Sequence, residues 1–146
     1  MKRTDWLQML AYQQELHHLS RALLSQEKTQ TLTASERELL ARLYLEPDES
    51  TPLALSRQSG MKKEAVSRCL KKLFEKGYIQ KEKHPTDERS YMLSITQSGQ
   101  EELGKNYSAI LRPLYDVKRQ MGSQFDLMFE LIQLANRSTG QSIGLK

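Results

Sequence analysis

The chain has 146 residues, a one-domain length, and its 38% hydrophobic and 27% charged side chains describe a globular but polar protein. No stretch approaches the roughly 18 consecutive apolar residues of a membrane span, Asp5 and Gln8 interrupt the apolar run that a signal peptide needs, and the single cysteine, Cys69, excludes an internal disulfide framework, so the sequence reads as a soluble cytoplasmic protein. The net charge of +4 is unevenly spread: from Arg57 to Arg89 there are ten basic and five acidic side chains, so the excess positive charge lies in the central third and points to a polyanionic partner.

The first predicted element is a long amphipathic helix over residues 5 to about 26, carrying Leu7, Leu10, Leu16, Leu19, Leu23 and Leu24, with Met9 and Tyr12 between, at three- and four-residue spacings. A polar stretch comes next. Thr33-Ala34-Ser35-Glu36 is then a capping box ahead of the apolar run Leu39, Leu40 and Leu43, whose helix stops before Pro47. Thr51-Pro52 supplies the cap and first residue of a short helix to Gln58, and Gly60 offers a left-handed end. The next helix, from about 62 to 76, places Val66, Cys69, Leu70 and Leu73 on one face and ends at Gly77. Two such helices joined through glycine satisfy the helix-turn-helix pattern, which alone matches many sequences by chance.

The segment after Gly77 narrows it. Residues 78–83 are strand-like, 84–89 are turn-rich around Pro85, and 90–95 are β-prone, which together predict a two-stranded hairpin with a charged tip. A hairpin directly after a helix-turn-helix makes a winged helix. Thr96 caps another helix, kinked or ended by Pro113, and a last helix is predicted over residues 120–137. The final nine residues have no periodicity and read as a mobile tail.

At the wing, Asp87-Glu88-Arg89 is followed by five residues and Thr96, with Ile95 before the threonine and Gly99 after it. With Leu32-Thr33 opening a helix, Val66-Ser67-Arg68 and Gly77-Tyr78-Ile79, this resembles the MarR (multiple antibiotic resistance regulator) family of winged-helix transcription factors over about half the chain. The resemblance implies a mainly α fold: a dimerisation helix over 1–31, a winged helix-turn-helix over 32–98, dimerisation helices over 99–137 and the tail over 138–146. It also implies a homodimer that offers two winged helices to a pseudo-palindromic operator on double-stranded DNA, more often as a repressor. The leucine-rich outer helices, which would expose apolar stripes in a monomer, agree with pairing.

On the second helix of the motif, Lys62, Lys63, Ser67, Arg68, Lys71 and Lys72 face outward. Ser67, Arg68 and Lys63 are the candidates for base edges, while Lys71 and Lys72 suit phosphates. An ordinary lysine-rich surface helix is the bland alternative. Arg89 suits a minor groove and Asp87 suits fixing the loop. Many family members carry a second arginine between them, where this chain has Glu88, and Lys81 and Lys83 on the wing strand can partly replace it.

Cys69 shares the phase of Val66 and Leu73 and reads as a buried, inert thiol. The adjacent rings of His17 and His18 point in different directions on a helix, so neither a metal site nor a cofactor is expected, and no catalytic motif is present. Family pockets lie between the dimerisation helices and the winged helix. That makes Tyr12, His17 and Tyr44 the candidates for contacting a small aromatic or phenolic effector. Two alternatives to sequence-specific regulation stay open here: a winged helix used as a protein-interaction module, and a non-specific architectural DNA binder.

Overall fold

A computed structural model of the protein describes residues 3–24 and 31–140. Seven helices and one hairpin succeed each other as α1 (Arg3–Leu23), α2 (Ala34–Leu45), a 3-10 turn (Pro47–Glu49), α3 (Pro52–Ser59), α4 (Lys63–Glu75), β1 (Ile79–Lys83), β2 (Tyr91–Ile95), α5 (Gln97–Ile110), α6 (Arg112–Met121) and α7 (Gln124–Ser138).

The chain signals act where the sequence puts them. Thr33 Oγ1 accepts the Glu36 N–H at 3.1 Å and Glu36 Oε1 accepts the Thr33 N–H at 3.0 Å, so both halves of the capping box form at the head of α2. Thr51 Oγ1 caps α3 at the Ala54 N–H, and Gly60 closes that helix in the left-handed region at φ +72°. β1 and β2 pair antiparallel in the register Ile79↔Ile95, Lys81↔Leu93 and Lys83↔Tyr91.

α2 is the hub of the winged helix and touches α3, α4, α5 and β2. Leu39, Leu40, Leu55, Leu73 and Leu93, all but inaccessible, centre a core that also takes in Leu32, Leu43, Val66, Cys69, Leu70, Ile79 and Leu103. Each such leucine contributes about 1.5–3 kcal/mol by leaving water. The Leu93 N–H donates to the Ser50 carbonyl at 3.0 Å and pins the wing to the entrance of α3. Leu103 and the buried Asn106 extend this core into α5: Asn106 Oδ1 accepts the Leu32 N–H at 3.1 Å, and its amide donates to Thr31 Oγ1 and the Glu102 carbonyl.

As expected, the helix capped by Thr96 is ended at Pro113: α5 stops at Ile110 because proline removes an N–H and crowds the carbonyl four residues back, and Pro113 sits in the first turn of α6. One boundary differs from the sequence expectation. The last helix does not start at Gln120. Gly122, at φ +61° and ψ −134°, breaks the chain between α6 and α7, while the apolar spacing runs straight through the break. The first helix begins at Arg3 and ends at Leu23; its expected end at Gln26, and residues 141–146 of the expected tail, lie outside the described residues.

α1, α6 and α7 stand apart from this core. α1 rests on α6, and α6 on α7. Trp6, Leu7, Met9, Leu10, Tyr12 and Leu16 on α1, Tyr115 on α6 and Leu127, Leu131 and Leu134 on α7 are all exposed. So many large apolar side chains left in water on three helices are surface that a partner would cover. Among the described residues no helix is long and apolar enough to cross a membrane.

Candidate nucleic-acid interface

α4 turns Val66, Cys69, Leu70 and Leu73 into the core, which leaves Lys62, Lys63, Ser67, Arg68, Lys71 and Lys72 exposed on its outer side. The helix forms a ridge between two grooves. One groove is walled by Lys63, Ser67 and Lys71 of α4, Pro52 and Leu53 of α3, and Lys81 and Tyr91 of the hairpin. The other is walled by Arg68, Lys71 and Lys72, with Thr33 and Ser35 from the head of α2. Three expected contact residues of α4 and one of the wing therefore share a single concave surface. Lys62, at the cap of α4, and Lys83, Asp87 and Arg89, further out on the hairpin, are exposed and line neither groove.

The wing tip is built by local hydrogen bonds. His84 Nδ1 accepts the N–H groups of Thr86 and Asp87 at 3.2 and 3.0 Å, and Asp87 Oδ1 accepts the Arg89 N–H at 3.0 Å. Asp87 thus holds the backbone of Arg89 and leaves the guanidinium free of any ion pair among the described residues. The scaffolding role of His84 has no sequence signal, since Asn, Asp, Ser and Thr are the side chains that ordinarily bond turn N–H groups.

Lys81, expected as a partial replacement for the missing wing arginine, is exposed and also stands over two aromatic rings. Its Nζ is 4.6 Å from the centre of the Tyr91 ring and 5.3 Å from that of Phe74. Strand parity places Lys81 on the same face of β1 as the buried Ile79, although Lys81 itself is exposed.

Cys69 is buried, and burial followed by the charge of Glu36 pushes its thiol up to about 11, against a smaller pull from Lys72 and Lys76. At neutral pH it is a protonated core side chain with little nucleophilic character. Behind it, Glu36 Oε2 accepts Lys76 Nζ at 2.7 Å, tying the head of α2 to the end of α4. Tyr12 and His17 on α1 and Tyr44 on α2 are all exposed. No cluster of three or more candidate metal ligands occurs among the described residues.

Residues 32–91, from the head of α2 to the return strand of the wing, match the sequence model of the MarR family. No curated protein matches significantly by sequence. Among solved structures, a transcriptional regulator from Thermotoga maritima is 26% identical, with 74% of this chain and 79% of that one covered at a TM-score of 0.54. MarR from E. coli, in its apo form, is 16% identical over 90% of this chain and 94% of its own, at 0.56. The PcaV regulator from Streptomyces coelicolor, solved with its natural ligand, is 19% identical over 90% and 91%, at 0.53. Residues 32–91 are thus a MarR-family domain, and the fold built around them is that of the MarR transcription regulators.

Proposed function

We propose that the protein is a homodimeric, sequence-specific DNA-binding regulator, acting as a repressor that a small aromatic effector releases. The observation that carries this reading is the shared groove. The outer face of α4 and the inner edge of the wing form one concave surface where Lys63, Lys71 and Lys81 outnumber the single acidic residue Glu75, and Arg89 stands beyond it. A helix presenting Lys63, Ser67 and Arg68 suits the edges of bases in a major groove, Lys71 and Lys72 suit its flanking phosphates, and an arginine held by its backbone on a narrow loop suits the adjacent minor groove. Asp87 keeps Arg89 in place without neutralising it.

The exposed apolar faces of α1 and α7 support dimerisation, since pairing two copies along them removes that surface from water and relates two α4 helices by a two-fold axis. With the domain limits expected from sequence, 32–98 reads DNA and the flanking helices join the protomers. Tyr12, His17 and Tyr44 are open to solvent in one protomer, so an effector site made from them is completed by the partner's helices; a ligand that favours one spacing of the two α4 helices shifts DNA affinity by its differential binding. Titrating a phenolic acid into the protein–DNA complex tests this, and unchanged DNA affinity contradicts it. The wild-type protein in this reading is a binding protein with no catalytic role.

The test of DNA recognition is fluorescence anisotropy on a duplex selected by the protein, against a shuffled duplex, at about 150 mM salt. A preference of at least roughly 10³-fold is expected. Arg68→Ala is expected to weaken the selected duplex by about 1–3 kcal/mol and to relax its sequence preference at one position. Arg89→Ala is expected to weaken binding and to reduce the salt dependence by about one counterion. Equal, weak binding of both duplexes contradicts the reading.

A further inference from the structure

A two-stranded hairpin is only marginally stable alone in water, so the inclination of the wing is set by what its base rests on. Its inner face runs outward in steps of two. Ile79, Leu93 and Ile95 lie in or against the core. Lys81 and Tyr91 come next, and there Lys81 Nζ lies within cation–π range of both Tyr91, on the paired strand, and Phe74, on α4. Lys81 is itself exposed; Lys83, paired with Tyr91, and the tip are exposed too, apart from the half-buried His84 and Ser90. The Lys81 contact is therefore the outermost joint between the DNA-facing helix and the lever that carries Arg89.

Several features show that this ammonium is committed to the joint. Leu53, Val66, Leu70, Phe74 and Tyr91 give the groove around it an apolar floor, with Ser67, Lys71 and Glu75 also on its wall, so the stem of Lys81 lies along apolar surface while its exposed ammonium stands over the ring faces. Lys81 makes no ion pair among the described residues. Glu82, its neighbour of opposite parity, faces the other way and accepts from Ser94 Oγ at 3.0 Å. The outer face of β1, from which a side chain reaches away from α4, is thus occupied by Gln80 and Glu82.

We propose that Lys81 is a positioning residue, a clamp between Phe74 and Tyr91 that fixes the angle of the wing on α4 and so delivers Arg89 to the minor groove. This rests on the DNA-binding reading for its purpose, but the clamp itself is a property of the free protein. Two measurements address it without DNA. The Lys81 Hε resonances are shifted upfield by the ring currents and move to random-coil positions in Tyr91→Leu, while Lys81→Met speeds hydrogen exchange of the β1 and β2 amides. Random-coil Lys81 resonances in the wild type, or unchanged exchange in Lys81→Met, overturn the clamp.

On a selected duplex, Lys81→Met and Tyr91→Leu each weaken binding by about tenfold, Lys81→Arg restores it, and the salt slope stays as in the wild type because no phosphate contact is lost. In an Arg89→Ala background the further loss from Lys81→Met falls below about twofold, since the lever then has nothing to deliver. A salt slope reduced by about one in Lys81→Met, together with wild-type affinity in Tyr91→Leu, makes Lys81 a phosphate contact and overturns the proposal. Indifference of the wild type to duplex sequence contradicts the DNA reading instead, and the resonance and exchange measurements then decide the clamp on their own.

Discussion

Gly99→Ala is expected to destabilise the protein by about 3 kcal/mol, although alanine is the better helix former by close to 1 kcal/mol. Gly99 is the third residue of α5, where its N–H donates to Thr96 Oγ1. A Cβ at this position would stand 2.3 Å from the Tyr78 carbonyl oxygen and 2.8 Å from Ile95 Cγ1. The oxygen cannot yield easily, because the same Tyr78 carbonyl accepts the Thr96 N–H at 2.9 Å and Thr96 Oγ1 donates to the Gly77 carbonyl at 2.7 Å. This knot joins the foot of the wing to α5, so relieving the clash means lifting α5 away from the hairpin. Gly104, five residues on in the same helix, has nothing within 4 Å of the place a methyl group would take, and Gly104→Ala is expected to stabilise by about 0.5–1 kcal/mol. Urea denaturation of the two variants should therefore shift in opposite directions. Equal shifts would mean that α5 does not press on the wing.

Glu36 carries the second large effect. Its carboxylate is 2% exposed, against 40% for the Lys76 side chain, so the acid is the buried partner and depends on its hydrogen bonds. Burial alone pushes its pKa up, but the bonds from Lys76 and from the Thr33 backbone and hydroxyl outweigh that and hold it below the ordinary value. Glu36→Gln keeps a capping-box side chain and loses the charge-assisted bond to Lys76, at about 1–2 kcal/mol; Glu36→Leu loses both, at about 3 kcal/mol. The lowered pKa sets the pH dependence. The stabilisation is fully present above the unfolded value and disappears as pH falls through the folded one. The stability difference between wild type and Glu36→Gln should hold constant near neutrality and shrink below about pH 4.5, the ordinary value for this group. A difference that stays constant into acid would mean that the ion pair contributes nothing.

The winged helix was readable because its signals are local. Thr33 and Glu36, Thr51 and Pro52, Gly60, and Asp87 before Arg89 each act within three residues of themselves, and there sequence spacing is geometry. The inward phase of Cys69 follows equally from a single helix period. Long-range consequences were hidden. The capping box says nothing about burial, yet Glu36 and the neighbouring Arg37 are both buried, Arg37 donating to the Leu32 carbonyl at 2.7 Å. Asn106 gives no periodic signal because its partners, Thr31 and Leu32, lie more than seventy residues away. Gly122 escaped because Met121, Phe125, Met128 and Phe129 keep a helical spacing across it, so apolar period outvoted the one residue that turns the chain. In the site, the charge of Lys81 is plain in the sequence, but its place over the Phe74 and Tyr91 rings is not, because those rings come from another helix and the paired strand.

The most direct test of the central claim is selection of bound duplexes from a random library by the full-length protein, followed by sequencing. Two α4 helices related by a two-fold axis predict an enriched inverted repeat whose half-sites are centred about 10–10.5 base pairs, or a multiple of that, apart. Enrichment of no sequence, or of a single unrepeated half-site, would contradict a dimer that reads sequence.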